Sequence, residues 1–168
     1  MVLMKRVVLA ALTLGGLAFA GAAHAQTANG NLSVNATVAN YCSVNSPTLS
    51  FGTSVNPLSG SDTDATATID VTCTIGTAFA VGLGNGAHYT GGLRHMQIGA
   101  TTNQLVYELY RDAGYAERFG DTGSTDRSPG VGAGNAATPI TVYGRIPSGQ
   151  TTAAVGAYTD TVAIVVRY

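Results

Sequence analysis

Lysine is almost missing from this chain: the only one, Lys5, stands near the start, and tryptophan is absent altogether. Without a later lysine no phosphate-binding loop of the Gly-x-x-x-x-Gly-Lys type can be built. Gly82-Leu83-Gly84-Asn85-Gly86 and Gly130-Val131-Gly132-Ala133-Gly134 therefore read as plain loops. Cysteine is equally scarce. Two cysteines, Cys42 and Cys73, cannot make a structural zinc site, and their spacing is far from the Cys-x-x-Cys of a redox enzyme. Charge is low too: only 10% of residues are Asp, Glu, Lys or Arg, and after residue 25 six arginines face nine carboxylates, a net of about −3. No basic cluster exists, which argues against nucleic acid as a partner, because a basic footprint supplies most of that binding energy. Beyond residue 25 no apolar run reaches the roughly 20 residues of a membrane span, so no spanning segment is expected there.

What is present begins with an export signal. Lys5 and Arg6 form a positive start, Val7 through Ala20 is an apolar run broken at Gly15-Gly16, and Ala23-His24-Ala25 offers a small-x-small cleavage site. Residues 1–25 are expected to be a signal peptide, removed to leave 143 residues, the size of one ordinary domain. In an oxidising compartment an even cysteine count reads as a disulfide, so Cys42 and Cys73 are expected to pair.

The remaining chain is rich in Thr, Val, Ala and Gly and alternates with period two. Leu32, Val34, Ala36 and Val38 alternate with Ser33, Asn35 and Thr37, the pattern of a strand with one buried face. Further strands are predicted over 66–74, 79–83, 104–111, 140–146 and 159–168, the last with Val162, Ile164 and Val166 on one face. Residues 120–138 form the longest irregular stretch, and no dozen residues keep a helical period. Short strands at this spacing suggest an all-β sandwich of the immunoglobulin type.

Catalytic constellations find little support. Asp121-Thr122-Gly123-Ser124 matches the Asp-Thr-Gly-Ser of aspartic proteases, but that chemistry needs two carboxylates sharing a proton, and one copy in a Gly/Ser-rich stretch reads as an exposed turn. His88 and His95 lack metal-ligand spacing and read as exposed loop residues beside Gly91-Gly92. No Gly-x-Ser-x-Gly occurs. No enzymatic activity and no cofactor or metal are expected.

Four segments in the second half carry a resemblance: Tyr107-Glu108-Leu109-Tyr110-Arg111-Asp112, Phe119-Gly120-Asp121, Tyr143-Gly144-Arg145-Ile146-Pro147-Ser148-Gly149-Gln150, and Gly156-Ala157-Tyr158-Thr159-Asp160-Thr161-Val162. With a strand ending at Cys42, Leu49-Ser50-Phe51-Gly52 and Val71-Thr72-Cys73, the chain resembles the spore coat protein U domain family, which includes pilin subunits of archaic (Csu-type) chaperone–usher pili. Phe119 stands where that family usually has Trp.

The resemblance implies an incomplete immunoglobulin-like β-sandwich completed by donor-strand exchange. Residues 26–40 would be an N-terminal extension carrying the donor strand, with Leu32, Val34, Ala36 and Val38 as its knobs, and residues 41–168 the pilin domain. Val162, Ile164, Val166 and Tyr168 would mark the groove edge met by a periplasmic chaperone. An outer-membrane usher and neighbouring or related pilin subunits would be the other partners, and the cell surface, in a pilus serving attachment and biofilm formation, the destination. The rival expectation is a self-contained secreted coat or ligand-binding module of the same fold. Alternation alone does not decide whether residues 32–38 pair in cis or in trans.

Overall fold

The structure, a computed structural model, describes residues 25–168, so the expected signal peptide lies almost wholly outside the described residues. The chain divides into the residues up to Ala36 and a unit spanning Thr37–Tyr168, and each is taken by itself. In the first, residues 25–36 contain no strand, and Leu32 and Val34 are 89% and 82% exposed. In the second, Val38 is 81% exposed ahead of the first strand. The buried-face strand expected over 32–38 is therefore absent. Alternating side chains do not make a strand by themselves; the backbone needs an edge to pair with.

The unit Thr37–Tyr168 is all β among the described residues: β1 (Cys42–Val44), β2 (Thr63–Cys73), β3 (Ala78–Leu83), β4 (Arg94–Gln97), β5 (Gln104–Tyr110), β6 (Ser128–Val131), β7 (Thr138–Ile146) and β8 (Ile164–Arg167). They form two antiparallel sheets, one in the order β1-β2-β7-β5-β4 and one in the order β6-β3-β8. No helix among the described residues is long and apolar enough to cross a membrane.

Period-two alternation builds the core. Ile69, Val71 and Cys73 of β2, Ile140, Val142 and Ile146 of β7, and Leu105, Tyr107 and Leu109 of β5 turn inward. Phe79, Val81 and Leu83 of β3 turn inward from the small sheet, and all these residues join one buried cluster. Phe119 is fully buried in it, its amide donating to the Leu109 carbonyl at 2.7 Å. Leu49 and Phe51, from the loop after β1, pack over β7 at Gly144, where a Cβ would sit 2.9 Å from both side chains. A side chain at 144 would push the ends of Leu49 and Phe51 away from β7.

Three strands escaped the sequence pattern. β1 begins at Cys42 rather than ending there, and its three residues are too few for a period. β4 has Arg94 and His95 as its buried residues, and β6 lies inside the stretch read as irregular. Gly82 and Leu83 belong to β3, and Gly130 and Val131 to β6, so neither glycine-rich piece is wholly loop. In β4 and β6 contacts with neighbouring strands outweigh the weak strand preference of Gly, Pro and charged residues.

Candidate functional site

The two sheets do not close on each other everywhere. A cleft of about 80 Å³ opens between them, lined by Ala67 and Ile69 of β2, Val142 of β7, Leu109 of β5, Leu83 of β3 and Ile164 of β8, with Pro47 and Leu49 beside it. Every side chain that lines it is apolar. One lip is β8, the outermost strand of the small sheet, hydrogen-bonded to β3 alone; the opposite edge of the large sheet is β1. The inner face of β2 follows the same division. It is fully buried at Ile69, Val71 and Cys73 but only half-buried at Thr63, Ala65 and Ala67.

An unpaired β edge beside an apolar cleft is a place where an extended segment can add its backbone to a sheet and its alternate side chains to a core. Other edges are less inviting. β6 carries Pro129, which cannot donate to a ladder, and the free side of β4 is covered where Gln97 and Thr159 exchange backbone hydrogen bonds at 2.9 and 3.0 Å.

Val162, Ile164 and Val166 are half-buried and pack on the core from the segment leading into β8 and from β8 itself, while Tyr168 lies exposed just past it. Cys42 and Cys73 form a disulfide (S–S 2.05 Å) that ties β1 to the end of β2. The four expected donor residues are elsewhere: Leu32, Val34, Ala36 and Val38 are all exposed and none lies in a strand.

The segment before β8 is held by one buried carboxylate. Asp160, its side chain 3% exposed, accepts the Tyr107 hydroxyl at 2.6 Å and the Ala87 amide at 2.9 Å, and His88 Nδ1 lies 3.0 Å away. Burial, reinforced by the hydrogen bond to Asp160, pushes the Tyr107 phenol far above its ordinary value, so it remains a neutral donor. His88 is thus a half-buried partner of Asp160 rather than an exposed loop residue. His95 is buried in β4, its Nδ1 3.1 Å from the Leu93 carbonyl. Neither joins a metal site, and no group of three or more potential ligands occurs among the described residues.

Asp121 does not have the surroundings of an aspartic protease carboxyl. Arg127 Nε donates to it at 2.6 Å and Arg167 reaches it from β8, which holds its carboxyl below the usual range and keeps it ionised. A proton-sharing pair needs a second carboxylate in place of these cations.

Sequence reasoning missed Arg94 entirely. Its guanidinium is fully buried, donates to the carbonyls of Leu83, Gly84 and Phe119, and pairs with Glu108, which also binds Arg118 at 2.8 Å. An arginine in a short polar run carries no periodic signal, although Glu108 within Tyr107–Asp112 hinted at a cationic partner. The four ordered segments turn out to share one property: each supplies polar groups that stitch loops to strands. Glu108 anchors two arginines, Arg145 pairs with Asp64 at 2.7 Å, and the Gln150 amide both donates to and accepts from the Val106 backbone. Asp121 and Asp160 do the same around β8.

Comparison with known proteins agrees with this architecture. The family profile described as Spore Coat Protein U domain matches residues 28–165. Protein U of Myxococcus xanthus is 35% identical over 160 residues, covering 87% of this chain and 88% of that protein. Among solved structures, a chain of the CsuC–CsuE chaperone–tip adhesion subunit pre-assembly complex, from the archaic chaperone–usher Csu pili of Acinetobacter baumannii, superposes with a TM-score of 0.54 at 22% identity. That match covers 79% of this chain and 40% of the solved chain, so this chain spans well under half of its structural counterpart.

Proposed function

The chain belongs to the Spore Coat Protein U domain family, and we propose that it is an exported structural subunit of a surface pilus, completed by a strand from a neighbouring copy. The observation that carries this reading is the apolar cleft bordered by the free edge of β8. A second observation supports the choice of occupant. Residues 26–40 contain an alternating apolar set, Leu32, Val34, Ala36 and Val38, that is exposed in the isolated chain. Seating one Leu and two Val side chains in an apolar groove contributes about 5–8 kcal/mol before ordering costs, with backbone pairing in addition.

In this reading residues 1–25 direct export to the periplasm and are removed there. A periplasmic chaperone covers the cleft and the edge at Val162, Ile164, Val166 and Tyr168, because an open apolar edge invites aggregation. At an outer-membrane usher, residues 26–40 of the next subunit replace the chaperone, and the fibre reaches the cell surface to serve attachment and biofilm formation. The role is structural, and no reaction is assigned to the chain.

Deleting residues 26–36 and comparing the product with the full exported chain by gel filtration and boiling-resistant ladders tests the proposal. Ladders from the full chain and none from the deletion are expected. If both run as the same stable monomer, the domain needs no donor, and a self-contained coat or ligand-binding module takes the place of the pilin.

A further inference from the structure

Asp121, the residue that resembles a protease carboxyl without its surroundings, has an unusual position for a loop side chain. Its carboxylate lies across the outer face of the small sheet, directly on Gly82 of β3, where any Cβ would collide with it. On one side Arg127, next to the first residue of β6, donates through Nε to Oδ1 at 2.6 Å and through its terminal nitrogen to the Asp121 carbonyl at 3.2 Å. On the other, Arg167 of β8 donates to Oδ1 at 3.2 Å and Oδ2 at 2.6 Å. One carboxylate thereby rests on β3, holds β8 and binds the residue that leads into β6, reaching toward all three strands of the sheet.

The turn carrying Asp121 is itself fixed. The Gly120 carbonyl accepts from Leu83 of β3 at 2.9 Å, and Asp126 gathers the Thr122 amide and hydroxyl and the Gly123 amide at 2.9, 2.6 and 3.1 Å. β8 needs such an outside hold. It has four residues and one hydrogen-bonded neighbour, and the cleft opens at its first residue, Ile164; a strand so placed frays readily. Bidentate, charge-assisted bonds from its last residue resist that fraying.

We propose that Asp121 is the positioning residue of the open edge, clamping Arg167 so that β8 stands ordered and ready to accept an added strand. This rests on the strand-addition reading for its purpose, whereas the clamp itself is a property of the isolated chain. Gly82 follows as an obligatory companion, since a side chain there would displace the carboxylate.

The test is hydrogen–deuterium exchange on the full chain purified from the periplasm, read separately for β8 and for the β2–β7 pair, beside the rate of uptake of a synthetic peptide of residues 26–40. Asp121→Asn and Arg167→Gln are each expected to speed β8 exchange about tenfold and to slow peptide uptake, leaving β2 and β7 unchanged, with Arg167→Lys intermediate. Arg167→Gln alters only an exposed side chain, so it remains informative if Asp121→Asn does not fold. The unsubstituted chain supplies a further arm. Arg127 and Arg167 are the charged groups facing Asp121, and they lower its pKa, so the clamp holds at neutral pH and is lost as pH falls through the folded value; β8 exchange, corrected for its intrinsic pH dependence, should rise there first. Unchanged β8 exchange, or an equal rise in β2 and β7, would overturn the clamp. Failure of the unsubstituted chain to take up the peptide would instead overturn the strand-addition reading, and with it the purpose assigned to the clamp.

Discussion

β2 and β7 pair over nine residues in the middle of the large sheet, while β8 pairs over four at the border of the small one. Apolar side chains buried from both sheets hold the first; the second sets only half-buried side chains on the core and has polar clasps at either end, Asp160 before it and Asp121 at Arg167. The contrast separates two tasks. A region that must persist alone is given buried apolar area, which does not titrate with pH. A region that, on the strand-addition proposal, is left open for another strand is instead ordered from outside its apolar face, by groups that leave the cleft free.

Substitutions in the two regions test this contrast directly. The largest expected effect is from Arg94→Ala, which leaves Glu108 with Arg118 alone, takes the buried donor from three backbone carbonyls and opens a cavity, and should destabilise the chain by about 3–5 kcal/mol in urea unfolding. A small loss would mean that the β4–β5 end of the large sheet does not depend on its buried arginine. Replacing Cys42 and Cys73 together by serine should cost about 3–4 kcal/mol for a closed loop of this length, measured in the same way.

Val142→Ala in β7 should cost about 2–3 kcal/mol, whereas Val166→Ala in β8 should cost no more than about 1 kcal/mol, because Val166 is only half-buried. Equal losses would erase the distinction between the regions. Smallest is Arg145→Gln on the outer face of the large sheet, expected to shift stability by less than about 1 kcal/mol, since its partners Asp62 and Asp64 are partly exposed. The Arg145 guanidinium nonetheless holds the Asp64 carboxyl below its usual range. The sign of its contribution is therefore fixed: present at neutral pH and lost as the solution is acidified below about pH 4, where the melting temperature of the original protein should fall faster than that of the variant.

Much of the framework was legible in the residues. Leu105, Tyr107 and Leu109, or Ile69, Val71 and Cys73, bury one face of a strand, and alternation announces this before any partner is known. The half-buried residues of the edge, Val162, Ile164 and Val166, were visible on the same ground. β4 was not, because its buried residues are Arg94 and His95, whose burial is tolerable only among particular carbonyls and a carboxylate brought from distant segments. The histidines failed for a similar reason. His88 gains its partner Asp160 from 72 residues away, a pairing no local pattern encodes.

By itself, then, the order of residues determined the all-β class, the inward face of each long strand and the identity of the cysteine pair, since these depend on local period and on the count of reactive groups. Tertiary structure alone decided that Asp121 lies on Gly82 between two arginines, that Arg94 is buried, and that one flank of the sandwich stands open beside β8. Those are properties of distances between segments remote in the chain. Residues 32–38 mark the boundary between the two kinds of knowledge: their alternation equips them to be a strand, but whether they become one depends on an edge to pair with.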